Sequence, residues 1–190
     1  MKKLAYLSLA AASAIALASP AAAQTVTGTV DITGTVAAKC LVVPANSSTF
    51  AASVNLLELA KADGTLEDSA VLESRFTAAT GSLSAKVICT SATPTVAVTA
   101  SPLLNVATAD PGYTNRIDYT ANIDVVTVSG SVDVDDLSSN PAATSTTLSA
   151  RLANSPDNVT VDASAFTATS GALLVAGTYN GQIVVTVTPT

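Results

Sequence analysis

Asp133, Asp135 and Asp136 stand close together, and clustered carboxylates are what a hard cation such as calcium takes as ligands. The calcium-loop pattern that goes with such a cluster, ending in a bidentate glutamate, is missing. The cluster therefore reads as a solvated turn at the end of a strand. A second acidic group, Glu58, Asp63, Glu67, Asp68 and Glu73, has the residue types for a carboxylate pair of the glycoside-hydrolysing kind. No aromatic sugar platform accompanies it, so it reads as charge that keeps a surface segment soluble. The chain contains no histidine, which removes the commonest general base and the commonest metal ligand together. It has two cysteines, Cys40 and Cys89, and no phosphate-binding glycine loop or zinc spacing. Asn46-Ser47-Ser48 and Asn158-Val159-Thr160 match the glycosylation pattern, and both read as ordinary turn chemistry. No catalytic residue, metal site or cofactor is expected, and the chain is not expected to be an enzyme.

What remains is chemistry of association, and the rest of the sequence says in which compartment. Lys2 and Lys3 precede an apolar run that ends in Ala21-Ala22-Ala23. This is the pattern of a secretory signal peptide, 1–23, with the mature chain starting at Gln24. The run is short for a membrane anchor. Export leads to an oxidising compartment, so Cys40 and Cys89 are expected to form a disulfide rather than remain as buried thiols. On the chain-entropy model such a closure stabilises by about 4 kcal/mol. Fourteen acidic residues against eight basic ones give a formal charge of −6. Without basic clusters, nucleic acid and anionic lipid are not expected as partners. Membrane insertion is not expected either. A transmembrane barrel needs aromatic girdles, and only 4% of the residues are aromatic.

The elements follow from alternation. Val26-Thr27-Gly28-Thr29-Val30-Asp31-Ile32-Thr33-Gly34-Thr35-Val36 places valine, isoleucine or glycine at every even position and threonine or aspartate at every odd one. Such a run reads as one β-strand with an apolar face and a wet face. Further strands are expected at 37–43, 83–89, 95–99, 116–128, 131–134, 147–152, 158–161 and 182–188. The phase of 116–128 slips at Val125-Val126, suggesting a bulge. Residues 135–146 read as a polar loop. Residues 54–76 carry partial helical spacing broken at Asp63-Gly64, and read as a partly helical or irregular connection. Many short strands separated by turn residues point to an all-β, antiparallel sandwich.

The alternating strand ahead of Cys40, the strand closing on Cys89, and the ending Gly177-Thr178-Tyr179-Asn180-Gly181-Gln182-Ile183-Val184-Val185-Thr186-Val187-Thr188 together form a pattern. It resembles the archaic, Csu-type chaperone–usher pilins and the related spore coat U domain proteins. The likeness covers both ends and the cysteine framework. It lapses between Pro44 and Ser82, and again at the terminal Thr188-Pro189-Thr190. The resemblance implies an incomplete immunoglobulin-like sandwich over 38–190, lacking its final strand, with a donor strand at 24–37. Donor positions would be Val26, Val30, Ile32 and Val36 as knobs, with Gly28 and Gly34 on the same face. Tyr179, Ile183, Val185 and Val187 would lie on the acceptor strand. Implied partners are neighbouring copies in a head-to-tail polymer, a periplasmic chaperone and an outer-membrane usher. The implied destination is a cell-surface fibre reached through the periplasm, with this chain in the shaft. The implied role is adhesion or biofilm formation. The alternative is a self-complete, monomeric, secreted sandwich that binds a ligand.

Overall fold

The computed structural model describes residues 27–43, 52–78 and 83–190. The signal-peptide reading of 1–23, donor position Val26 and the Asn46 pattern lie outside the described residues. The chain divides into two units, Met1–Thr35 and Val36–Thr190. In the first, residues 27–35 carry no regular secondary structure. The second is mostly β: strand makes up 45% of the described residues, and among them there is one short helix.

In chain order the elements are β1 (Cys40–Val43), α1 (Ser69–Thr77), β2 (Ser84–Cys89), β3 (Thr95–Leu104), β4 (Tyr113–Thr114), β5 (Arg116–Thr127), β6 (Gly130–Leu137), β7 (Thr144–Thr147), β8 (Val159–Thr167), β9 (Leu173–Leu174) and β10 (Asn180–Thr188). Ladder pairs connect β1-β2-β8-β5-β3-β10 in that order, with β6 added to β5 and β7 to β3. All of these pairs are antiparallel. The two-residue strands β4 and β9 pair separately and in parallel.

β5 organises the core. Ile117, Tyr119, Ala121, Ile123 and Val125 are buried, while the residues between them face outward. That is the period-2 pattern of a strand with one face in the core. The expected bulge at Val125-Val126 is not there: burial alternates through Thr127. Val126 is apolar yet faces outward, half-buried, with its main chain paired outside the named strands. Its N–H donates to Asn158 O at 2.9 Å, and Ala153 N–H donates to its carbonyl at 2.9 Å. The register shift in β5 falls instead between Asp118 and Thr120, against β8. Buried Thr127 continues the phase without cost, since its hydroxyl donates to Gly130 O at 2.7 Å.

Three other expectations are corrected. Residues 135–137 are not loop but the end of β6, so Asp133, Asp135 and Asp136 stand on a strand rather than at a turn. Adjacent strand residues point to opposite faces. Asp135 therefore faces out toward Asn122, whose Nδ2 donates to it at 3.1 Å. Asp136 faces in and is buried, accepting from Ala100 N–H and from the Thr144 hydroxyl at 2.7 Å each. The expected strand over 147–152 lies earlier, at β7, and Leu152 makes only an isolated bridge to Thr127. Asn158 is not a turn residue open to glycosylation. It is fully buried, receives Val87 N–H at 2.7 Å, and donates to Val87 O and Ala153 O at 2.7 Å each. These bonds take the place of ladder bonds where β2 meets the start of β8.

The 54–76 stretch combines an irregular run, an Ala60–Leu66 bridge around Gly64, and α1. α1 contributes Leu72 and Phe76 to the core. The acidic residues here hold more than solvent. Lys61 pairs with Asp68 at 2.5 Å and Arg75 with Glu67 at 3.7 Å. Glu73 accepts from the Ser69 hydroxyl at 2.7 Å and from Ala165 N–H at 2.8 Å, which moors the helix to β8. Those bonds hold the Glu73 carboxyl below its ordinary range.

Asn158→Ala leaves buried backbone groups of Val87 and Ala153 without partners. The substitution is expected to cost about 2–4 kcal/mol in a urea unfolding curve, with the slope of the curve unchanged.

Candidate functional site

Both ends of the ladder path are strand edges. Among the described residues β1 pairs only with β2, and β10 only with β3. The second edges of β1 and β10 line one groove of about 850 Å³. Cys40, Leu41 and Val42 form one wall, and the run from Asn180 to Val187 forms the other. Val87, Leu103, Tyr119, Val161, Ala163 and Phe166 contribute the apolar floor. Ala52, Ser53, Val54 and Leu56 also line it, and none of the described lining residues carries a charge.

The sequence builds each wall locally. In β10, Ile183, Val185 and Val187 are half-buried and turn toward the core, while Gln182, Val184 and Thr186 are exposed. The alternation expected of the acceptor strand is therefore present, and these three residues are brought together along one wall. Tyr179 also lines the groove but sits just before β10. Its hydroxyl lies 3.0 Å from both Thr114 O and Val175 O, the two acceptors available to it. Burial pushes its phenol up from the ordinary value. The glycines around it have steric reasons. Gly177 has φ +137°, over the Asn105 side chain. At Gly181 a β-carbon would stand 2.9 Å from Ser101 O, at the register shift where β10 starts against β3.

The opposite wall is anchored by covalent and polar contacts. Cys40 and Cys89 are ladder partners and are joined by a disulfide, as expected. Next to it, Thr90 N–H donates to Lys39 O at 3.0 Å, Lys39 N–H donates to the Thr90 hydroxyl at 3.0 Å, and that hydroxyl donates to Ala37 O at 3.0 Å. Arg151 holds the Thr90 carbonyl at 2.8 Å. The C-terminus docks a residue further on, where the Ser91 hydroxyl donates to Thr190 O at 2.6 Å. β1 thus starts, and β10 finishes, at the same end of the groove, so the two walls run in opposite directions. Any extended segment laid between them is parallel to one wall and antiparallel to the other.

Tyr119 and Phe166 are floor residues without a sequence motif. Their rings stack with centroids 5.6 Å apart. The Tyr119 hydroxyl crosses to β10 and donates to Gln182 O at 3.2 Å. The signal available in the sequence was an aromatic on the inward phase of the longest alternating run. Burial, followed by the nearby Asp136 carboxylate, pushes the Tyr119 phenol up to about 12.

Of the expected donor positions, Gly28, Val30, Ile32 and Gly34 belong to the first unit and Val36 opens the second. All are exposed: Val30 at 84%, Ile32 at 92% and Val36 at 80% of full accessibility. Among the described residues no three histidine, cysteine or acidic side chains are grouped to hold a metal ion. Likewise, no helix among them is long and apolar enough to cross a membrane. Comparison with family models, characterised proteins and solved structures returns no match to this chain.

Tyr119 keeps its proton more tightly in the folded state than in the unfolded one. Its contribution is therefore complete below about pH 10, where the unfolded chain titrates, and is lost as pH rises toward about 12. Stability followed by circular dichroism is expected to fall across that window. Tyr119→Phe is expected to flatten this part of the fall.

Proposed function

We propose that this chain is a structural subunit of a surface fibre, in which the 24–37 segment of one copy fills the groove of the next. The observation that carries this reading is the pair of strand edges, unpaired among the described residues, that face one apolar-floored groove whose described lining is uncharged. Main-chain N–H and C=O groups along an edge seek partners, and an open edge left uncovered is an aggregation site. An inserted strand satisfies both edges with backbone hydrogen bonds, while alternate side chains enter the floor. The 26–36 run has the matching chemistry, with valine and isoleucine on one face. Full burial of each exposed knob, Val30, Ile32 and Val36, stabilises by about 1.5–3 kcal/mol.

On this reading the domain is an immunoglobulin-like sandwich short of one strand, completed in trans. Donation from head to tail is a heterologous contact that does not close on itself, so it yields a filament. The resemblance to archaic chaperone–usher pilins in the pre-cysteine strand and the last strand supports the same assignment. It brings with it a periplasmic chaperone that covers the groove before assembly, an outer-membrane usher, and adhesion or biofilm formation as the role. No enzymatic activity is proposed.

Deleting 24–36 is expected to abolish filaments in electron micrographs while leaving a domain that folds when the groove is covered. A peptide of residues 24–37 added to that truncated domain is expected to raise its melting temperature. The same peptide carrying Val30→Asp and Ile32→Asp is expected to lose the effect. A truncated domain that ignores the first peptide, from a parent that never forms filaments, would favour the self-complete binding protein instead.

A further inference from the structure

Residues 26–36 read almost identically in both directions. Val-Thr-Gly-Thr-Val-Asp-Ile-Thr-Gly-Thr-Val is a palindrome centred on Asp31, broken only by the exchange of Val30 for Ile32. Two such segments laid antiparallel about a two-fold axis at residue 31 therefore match at nearly every position. Thr27 meets Thr35, Thr29 meets Thr33, Gly28 meets Gly34, and Val30 meets Ile32. Threonine pairs and β-branched pairs are favourable cross-strand neighbours. Residues 27–36 are also exposed, with Val30 and Ile32 almost fully accessible. Apart from the paired glycines, which weaken any strand, one position in its pattern argues against pairing with a second copy of itself.

That position is Asp31, which is exposed and is the only charged residue in the run. In the matched register it stands directly opposite itself. Like charges directly opposite on adjacent strands are destabilising. Sliding the register by two residues separates the carboxylates but sets Gly28 against Ile32, or Val30 against Gly34, so a knob faces bare backbone. The charge is thus located at the one site where it opposes the best-matched self-pairing in every copy. On the wet, odd-numbered face it would not enter an apolar groove.

We infer that Asp31 is a specificity residue that keeps the leading segments of two copies from pairing with each other, leaving them free for a groove. This rests on the strand-donor reading of the segment. A two-fold pair of donor segments is a closed, isologous contact, and it would remove two subunits from a growing head-to-tail chain.

The test uses the full chain with its disulfide intact. Thr29→Cys and Thr33→Cys chains are prepared separately, mixed, and oxidised mildly. Opposed β-carbons in the two-fold pair lie about 4.5–5.5 Å apart, close to disulfide reach. The cross-link yield is compared in four backgrounds: Asp31 in both chains, Asp31→Asn in both, Asp31→Lys in both, and Asp31 mixed with Asp31→Lys. Yield is expected to be low for Asp with Asp and for Lys with Lys. It is expected to rise on the order of twofold to fivefold for Asn with Asn and for Asp with Lys. Equal yields in all four backgrounds, or Lys with Lys matching Asp with Lys, would overturn the inference. Filament content of cysteine-free Asp31 and Asp31→Asn chains, scored by electron microscopy, separates the two ideas. Filaments without any Asn gain leave strand donation standing and remove the role of Asp31. An Asn gain without filaments in either chain keeps the role of Asp31 in self-pairing and removes strand donation.

Discussion

Main-chain hydrogen bonding is the constraint on which this molecule depends. Every strand carries N–H and C=O groups on two edges, and each edge needs a partner or an exit to water. In this chain β5 lies inside the path with ladder partners on both sides and β8 meets β2 only at Val159 and Thr160, while among the described residues β1 and β10 are paired on one side only. The path brings those two edges to the walls of a single groove. β6 and β7 also have one ladder partner each, but only the β1 and β10 edges share a floor that is apolar and uncharged among the described residues.

The groove is held open by contacts that are themselves well satisfied. The disulfide and the Thr90–Arg151 contacts anchor one wall at its start. The Tyr119 hydroxyl and the close approach at Gly181 position the other wall at its beginning. Polar groups that lie inside, such as Asp136 and Asn158, are taken up by Ala100 and Thr144 and by Val87 and Ala153 respectively. The outcome is a frame whose two walls, each paired on one side only among the described residues, flank an apolar floor.

Much of the frame was readable residue by residue. The alternation in β2, β5 and β10 marked which side chains turn inward, because a strand's period is short and local. The cysteine pair followed from export and count. Other features were misread for a shared reason. Asp133, Asp135 and Asp136 looked alike as a polar turn, yet β6 runs through them and sends Asp136 to the core. Asn158 looked like a turn residue, yet its amide is consumed by Val87, far away in sequence. Val126 looked like a phase slip, yet β5 keeps its alternation there, with Asn158 and Ala153 as the main-chain partners of Val126. In each case a partner distant along the chain decided the role.

By itself the sequence determined the strand content, the inward faces, the cysteine partners and an alternating leading segment with a single charge at its centre. Those properties depend on neighbours two residues apart or on composition, and a linear chain displays them. Only the tertiary structure decided that the outer edges of β1 and β10, unpaired among the described residues, share a groove, that their directions oppose, and that Tyr119 and Phe166 form part of its floor. Ladder partners are chosen by long-range contacts between strands. Alternation says which face a residue takes, and says nothing about which strand lies beside it.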